Sequence, residues 1–178
     1  MITISGKAQL TFMLPTDVET AFQFYQDVNR ILPYLPRIQF IESHGDQHLR
    51  ICYVSRELNA YDVKIYCDVQ ALADHSNYSL RLVPKEAAPE IKAKSGFNKT
   101  LAYGRYSSAS IFYPNGNQTR LDYQIHLFAE LPKPWAIKFV PDAVMDGIAN
   151  SITNHRIKEI AHGFIQQSLG DLAAWKPE

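Results

Sequence analysis

The chain has 178 residues and a mass of 20.3 kDa, which suits one domain with a sizeable core and is too short for two. Hydrophobic residues make up 46% and charged residues 20%, which excludes intrinsic disorder and a charge-rich coiled coil. Eighteen basic and eighteen acidic residues give a formal net charge of zero, so a general nucleic-acid binder is excluded and a polyphosphate partner is disfavoured. We expect one domain over residues 1–178 with no nucleic-acid partner.

The sequence lacks the signals of membrane insertion and secretion. Its apolar stretches are far shorter than the roughly 20 residues that cross a bilayer, and MITISGKAQL has no apolar core like that of a signal peptide. We therefore predict a soluble, cytoplasmic protein with at most peripheral membrane contact. In that setting Cys52 and Cys67 are expected to be buried thiols, with a redox pair across a hairpin near Asn59 and Ala60 as the alternative.

The N-terminal elements are a strand and a helix. Residues 2–14 partly alternate and end at Pro15, which predicts a first strand. Thr16 and Glu19 form a T-x-x-E capping box, followed by apolar residues at helical spacing, which predicts a helix over 17–31. Two prolines in ILPYLPRI then end this helix or tighten it into a short turn.

From residue 38 to residue 130 the pattern predicts about six antiparallel strands. Alternation is clearest over residues 63–69, and Gly45-Asp46 indicates a turn. Residues 84–99 contain two prolines and four lysines, which predicts a mobile loop. Pro114-Asn115-Gly116-Asn117 predicts a hairpin between two longer strands.

A long helix is predicted after Pro141. Val144, Ile148 and Ile152 form one apolar stripe, but the apolar residues after His155 lie on a different side of an ideal helix. Either the helix bends near Asn154, or its two stretches are buried by different neighbours. Gly147 within this helix indicates the close approach of a neighbour or room for a ligand, with close packing as the expectation.

These elements predict an α+β fold. An unbroken run of strands before one long helix favours a curved antiparallel sheet wrapped around that C-terminal helix. Space often remains between a strongly curved sheet and a single helix, and the tyrosines and aliphatic residues of these strands would line it.

The order of elements resembles the SRPBCC superfamily of helix-grip proteins, which includes START lipid-transfer domains, birch-pollen-allergen-like proteins and polyketide cyclases. The resemblance covers nearly the whole chain and is carried by FQFYQDVNRILPYLPRIQFIE and by LPKPWAIKFVPDAVMDGIANSITNHRIKEIAHGFIQQSLGDLAAW. The second stretch is also similar to an uncharacterised cyanobacterial and chloroplast branch. The resemblance implies the helix-grip fold and leaves several functions open, because the superfamily includes carriers, cyclases and assembly proteins.

Motifs of nucleotide and hydrolase chemistry are absent from the sequence. It contains no G-x-x-x-x-G-K-[ST], no G-x-G-x-x-G and no G-x-S-x-G. His44 and His48 are four residues apart across a turn, without a third ligand, so we interpret them as solvated turn histidines. No metal site, cofactor or catalytic residue is predicted.

Candidate ligand-binding residues come from the predicted buried faces. His155 could project into the cavity or lie satisfied at the edge of the helix, and Arg105 could anchor a polar ligand end or face solvent. The full set is Tyr53, Ile65, Cys67, Leu80, Tyr103, Arg105, Tyr123, Ile125, Val144, Ile148, Ile152 and His155.

The leading functional hypothesis is a non-catalytic binder or carrier of an apolar small molecule such as a lipid, isoprenoid, quinone or pigment. One alternative is a cyclase or isomerase in which Tyr103, Tyr123, Arg105 or His155 supplies acid and base. Another is a scaffold or assembly protein of photosynthetic membranes, which requires a protein partner. Trp135, beside Lys133 and Lys138, could anchor at a membrane or partner, or simply seal the mouth of the core.

Overall fold

The computed structural model describes residues 1–45, 47–57, 61–86 and 91–177. The predicted turn at Asn59 and Ala60 lies outside the described residues, as do Asp46 and residues 87–90 of the predicted 84–99 loop. No helix in the described ranges is long and apolar enough to cross a membrane.

In the described residues, one curved sheet of eight strands forms the body of the molecule. Its strand order is β1-β8-β7-β5-β4-β3-β2, with the short β6 paired to β7, so β1 and β2 are the outer strands of the main path. The pairings are antiparallel except where β4 and β7 run parallel over residues 62–66 and 99–103. The strands are β1 (Ile2–Leu14), β2 (Ile38–Ser43), β3 (His48–Glu57), β4 (Tyr61–Asp74), β5 (Ser79–Pro84), β6 (Lys94–Ser95), β7 (Lys99–Asn115) and β8 (Gln118–Leu131).

Several predictions from local pattern are confirmed. β1 ends just before Pro15, and the hairpin between β7 and β8 turns at Gly116, which has a positive φ of 62°. Glycine adopts this left-handed conformation without steric cost, which explains why the turn forms there. The predicted α+β class, with a curved antiparallel sheet and a long C-terminal helix, is also confirmed.

The first helical region is interrupted, which differs from the single helix predicted over 17–31. Helix α1 (Val18–Tyr25) is capped by Asp17, not by Thr16, because the Asp17 carboxylate accepts the backbone N–H of Thr20 at 3.0 Å. Asp27 then caps a second short helix, α2 (Val28–Ile31), and a 3₁₀ turn follows over Leu32–Tyr34. An extended residue that caps a new helix cannot also lie inside a continuous one.

Helix α3 (Asp142–Ala174) is continuous through Asn154, so its shifted apolar stripe reflects different neighbours along its length. All its buried residues lie from Thr153 onward, whereas Val144 and Ile148 are half-exposed. In the buried half, the Phe164 ring stacks on Tyr123 of β8 at 4.9 Å between ring centroids. The C-terminal half of α3 therefore packs into the core, and the N-terminal half does not.

The register of β3 and β4 agrees with the expectation of two separate buried thiols and not with the alternative of a redox pair. Cys67 lies opposite Ile51, and Cys52 lies opposite Tyr66, so the two thiols point to opposite faces of the sheet. Both are free and buried. Gly147 differs from the prediction of close packing, because a Cβ added there would meet no atom within 4 Å.

Candidate functional site

Helix α3 lies along the outer edge of β1. Its side chains accept hydrogen bonds from the backbone N–H groups of β1 that a further strand would otherwise pair. Side-chain oxygens four residues apart on the helix accept backbone N–H groups two residues apart on the strand. Four helical residues rise about 6 Å and two strand residues about 6.7 Å, so the two repeats nearly match. The pairs are Asp146 with Thr3 at 2.8 Å, Asn150 with Ser5 at 2.6 Å and Asn154 with Lys7 at 3.1 Å.

Gly6 permits a close approach of this helix to the sheet. A Cβ at Gly6 would lie 2.8 Å from Thr153 Cγ2 and 2.9 Å from both Ile157 Cγ1 and the Thr153 carbonyl oxygen. The absence of a side chain at Gly6 thus lets α3 contact β1 at Thr153, where burial of the helix begins. On the N-terminal side of this contact a space remains.

That space is a cavity of about 280 Å³ between the N-terminal half of α3 and one end of the sheet. Most of its lining side chains are apolar, and they come from five strands, two loops and the helix. The half-exposed Ile148 and the exposed Phe97 line it, so the cavity opens to solvent at that end. The lining residues are Ile2, Ile4, Tyr53, Ser55, Glu57, Tyr61, Val63, Phe97, Thr100, Leu131, Pro132, Pro134, Ile137, Met145, Ile148, Ala149, Ile152 and Thr153.

The single charged side chain among these lining residues is that of Glu57, at the end of β3. Its two carboxylate oxygens accept hydrogen bonds from Nε and Nη2 of Arg156 at 3.2 and 3.1 Å, and one of them also accepts the Ser55 hydroxyl. Arg156 Nη1 donates to Glu159 at 3.0 Å, and Glu159 pairs with Arg37 at 3.3 Å. Glu57 is therefore neutralised by an ion-pair network that joins β3 to α3.

This network sets the protonation of its members. Burial by itself raises the pKa of Glu57, but the hydrogen bonds from Arg156 and Ser55 outweigh burial, and the pKa lies below its ordinary value. The pKa of Glu159 is lowered in the same way, with burial opposing and the Arg156 hydrogen bonds prevailing. The hydrogen bonds to Glu57 and then to Glu159 raise the pKa of Arg156. At neutral pH all three groups are charged.

Two further hydroxyl groups of the wall hydrogen-bond each other. The Tyr61 hydroxyl at the start of β4 hydrogen-bonds the Thr100 hydroxyl on β7, across the parallel pairing of these strands. The remaining polar lining hydroxyl on α3, that of Thr153, donates to the Ala149 carbonyl at 2.8 Å. The Tyr61–Thr100 pair is therefore placed to offer one hydroxyl proton or lone pair to a neutral ligand.

Similarity to solved structures was found across almost the whole chain. The aromatase/cyclase Zhui from Streptomyces sp. R1128 has a TM-score of 0.62 at 8% identity, covering 95% of this chain and 94% of its own. A conserved protein from Geobacillus kaustophilus has a TM-score of 0.58 at 13% identity, covering 96% of each chain. The chain has the helix-grip fold. At these identities the similarity concerns the fold alone.

Comparison at the level of sequence is uninformative. No protein-family model matches the chain, and no curated protein matches it. The resemblance to helix-grip proteins is confirmed by structure, whereas the resemblance to a cyanobacterial and chloroplast branch stays a prediction.

The helix-grip cavity brings together three of the twelve candidate residues. Tyr53 contributes from β3, and Ile148 and Ile152 contribute from α3. Five others are buried in the solid part of the core and do not line the cavity, because the C-terminal half of α3 and the first helices fill the concave face there. These five are Ile65, Cys67, Leu80, Tyr123 and Ile125.

The other four candidates lie away from the cavity lining. Arg105 is exposed, and Val144 is half-exposed beside the cavity without lining it. His155 is exposed and pairs with Glu159 at 3.2 Å, on the helix face that looks away from β1. The Tyr103 hydroxyl donates to the Lys85 carbonyl at 2.8 Å and so holds the segment after β5 against the sheet.

Another buried polar cluster lies at the pairing of β3 with β4, away from the cavity. Nε and Nη2 of Arg50 donate to the two carboxylate oxygens of Asp68 at 2.9 and 2.8 Å, and both side chains are buried. His48 is adjacent, and burial lowers its pKa, while its ring lies 4.9 Å from that of His44. Within the described ranges no group of three or more His, Cys, Asp or Glu side chains is arranged to hold a metal ion. This cluster joins β3 to β4 through a buried ion pair.

Sequence reasoning missed the Glu57–Arg156 and Tyr61–Thr100 pairs and most of the apolar lining. Glu57 and Arg156 are separated by 99 residues, and Tyr61 and Thr100 by 39, so no local spacing relates them. The alternation of Ile2 and Ile4 in β1 was a usable signal, because both lie on the buried face of an outer strand.

Proposed function

We propose that this protein binds a small, neutral, apolar molecule in its helix-grip cavity and carries or sequesters it without chemical change. The observation that supports this most directly is the cavity itself, about 280 Å³ with a mainly apolar lining, beside a core that is otherwise closely packed. Ligand pockets commonly measure about 300 to 1,000 Å³, so a compact ligand or one segment of a longer chain fits. Lipids, isoprenoids, quinones and pigments all contain such apolar segments.

The charge of the lining favours a neutral ligand over a carboxylic acid. Glu57 contributes the one charge among the lining side chains, and its partner Arg156 is already held by two carboxylates. A ligand carboxylate would enter beside Glu57 without a cation of its own, at a substantial desolvation cost. A carbonyl or hydroxyl oxygen could instead pair with the Tyr61–Thr100 hydroxyls.

The cyclase or isomerase alternative has weaker support. The aromatase/cyclase that shares the fold motivates it, but the residues considered for acid and base do not line this cavity. The carboxylate that does line it, Glu57, is engaged by Arg156 and has a lowered pKa, which makes it a poor proton donor at neutral pH. The assembly-protein alternative requires a protein partner, and its setting in photosynthetic membranes depends on the predicted cyanobacterial branch alone.

The test is ligand capture followed by cavity filling. Native mass spectrometry of the gently purified protein is expected to show a stoichiometric small-molecule adduct, which extraction then identifies. In parallel, the neutral dye N-phenyl-1-naphthylamine should fluoresce on binding the delipidated protein and be displaced by the extracted molecule. An apo mass that persists after exposure to a total lipid extract, together with no dye binding, would overturn the proposal.

Replacing two alanines of α3 by phenylalanine tests whether the ligand binds in the cavity. Ala149 lines the cavity, whereas Ala143 is exposed on the same helix and does not. Ala149→Phe should fill the space and reduce dye affinity by at least about tenfold, and Ala143→Phe should leave it unchanged. Equal affinity in both variants would show that the dye binds elsewhere.

A further inference from the structure

Two loops beside the cavity present large aromatic side chains to solvent. The turn between β6 and β7 carries Phe97, which is 82% exposed. The connection from β8 to α3 carries Trp135 and Phe139, which are 73% and 88% exposed. Single exposed apolar residues are ordinary, but three of the most exposed aromatic side chains in the described chain lie in two segments at one end of the molecule.

These loops border the open end of the cavity. Phe97 lines the cavity itself, and Pro134 and Ile137, which flank Trp135, line it from the other loop. Ile148, which lines the cavity, and Val144, one turn earlier on the same face of α3, are half-exposed. We call Phe97, Trp135, Phe139, Val144 and Ile148 the mouth surface.

The two loops are also basic, although the whole chain is neutral. Residues 91–99 contain three lysines and residues 132–141 contain two, and neither segment contains an acidic residue. Lys94, Lys99 and Lys138 are exposed, and the Lys138 ammonium lies 6.0 Å from the centre of the Phe139 ring. Lys133 is engaged by the carboxylate of Asp142 at 2.7 Å, so it contributes less free charge. Exposed lysines therefore lie in the same two segments as the exposed rings.

We propose that the mouth surface binds the surface of an anionic lipid bilayer, with the three rings at the level of the headgroups and the cavity opening toward the membrane. Tryptophan and phenylalanine at a loop tip gain free energy from burial at the headgroup and acyl boundary, while neighbouring lysines contact anionic headgroups. A protein partner fits less well, because protein interfaces are depleted in lysine, whereas bilayer-binding surfaces are enriched in it.

The protein is tested with vesicles, using one of the two tryptophans of this chain as the reporter. Trp175 packs against Phe24 at 5.6 Å between ring centroids, remote from the mouth surface, so Trp175→Phe leaves Trp135 as the sole tryptophan. Vesicles of phosphatidylcholine with about 30 mol % phosphatidylglycerol should shift the Trp135 emission to shorter wavelength, and brominated lipids should quench it. Pure phosphatidylcholine vesicles should give a weaker effect, and salt should weaken the anionic response.

Variants at exposed positions identify the binding surface without disturbing the core. The double variant Phe97→Ala with Phe139→Ala should reduce co-sedimentation with anionic vesicles by at least about tenfold. Lys99→Gln and Lys138→Gln should each reduce it by about fivefold, because one lysine near an anionic surface is worth about that factor. Tyr113→Ala, which removes a partly exposed aromatic ring at the opposite end of β7, is the matched control and should bind as the wild type does.

The outcomes distinguish failure of the membrane proposal from failure of the proposed ligand binding. Ala149→Phe fills the cavity without replacing any residue of the mouth surface, so vesicle binding should persist in a variant that has lost dye binding. Absence of vesicle binding by the wild type, or equal binding by the double phenylalanine variant, would overturn the membrane proposal and make a protein partner the occupant to seek. Neither result depends on whether the cavity holds a ligand.

Discussion

Asn150 of α3 accepts the backbone N–H of Ser5 of β1 at 2.6 Å, in the middle of the ladder formed with Asp146 and Asn154. The acceptors recur every four residues and the donors every two, so a helix satisfies the edge of a sheet in place of a strand. This ladder holds the otherwise unburied N-terminal half of α3 over the cavity.

Replacing the central acceptor should loosen this half of the helix. Asn150→Ala is expected to lower the free energy of unfolding by about 1 kcal/mol, because the Ser5 N–H loses its partner. Hydrogen exchange should accelerate at Thr3, Ser5 and Lys7 in particular. Ser151→Ala, on the exposed side of the same turn, is the control. Unchanged exchange at Ser5 would mean that the ladder does not hold the helix in solution.

Replacing Gly6 or Gly147 by alanine should have opposite effects on the free energy of unfolding. Gly6→Ala places a Cβ 2.9 Å from the Thr153 carbonyl oxygen, an atom fixed in the helix backbone, so α3 must move outward. We expect a loss of about 1 to 3 kcal/mol in chemical denaturation, in the range of other overpacked sites. Gly147→Ala meets no neighbour and should stabilise the exposed helix by about 0.5 to 1 kcal/mol. Stabilisation by both substitutions would contradict the close approach of α3 to β1.

Because of the network of Glu57, Arg156 and Glu159, the free energy of unfolding should decrease at acid pH. The pKa of each carboxylate is lowered in the folded protein from an ordinary value of 4.5, so the folded state binds fewer protons than the unfolded state near that pH. The contribution of these two carboxylates to the free energy of unfolding is therefore complete above about pH 5. It is lost as the pH falls through their pKa values in the folded protein. Chemical denaturation between pH 7 and pH 3 measures this loss.

The variant Glu57→Gln tests whether the Glu57 carboxylate causes this loss of stability at acid pH. It should cost about 1 to 2 kcal/mol at pH 7, because Arg156 loses a paired carboxylate, and it should flatten the acid dependence. Asp62→Asn is a control, since Asp62 is an exposed carboxylate whose 3.8 Å pairing with Arg56 is longer. An acid dependence in Glu57→Gln as steep as in the wild type would place the responsible group elsewhere.

Ligand charge should decide affinity for the cavity. Decan-1-ol should displace N-phenyl-1-naphthylamine at lower concentration than decanoate at pH 8, because a decanoate carboxylate inside the cavity would lie near Glu57, and no basic side chain is among the lining residues. Glu57→Gln should narrow this difference by leaving Arg156 less neutralised. Stronger displacement by decanoate than by decan-1-ol would contradict the proposed neutral ligand.

Local pattern accounts for most of the secondary structure. The end of β1 at Pro15, the hairpin at Gly116 and the long helix after Pro141 follow from residues whose backbone preferences act within a few positions. The interruption between α1 and α2 was harder to predict, because Asp27 competes as a cap within a stretch that keeps helical spacing.

The sequence alone determined the α+β class, the antiparallel sheet and the long C-terminal helix. Apolar residues recur every 2 positions in a half-buried strand and every 3.6 in a half-buried helix, so their spacing identifies each element and its buried face. Tertiary structure decided which of those buried residues line a cavity. Ile65 and Ile148 both looked suitable, yet one lies in the solid core and the other at the opening, because the close contact at Gly6 ends before α3 reaches its N-terminus. The pairing of Glu57 with Arg156 likewise arises only where distant elements meet.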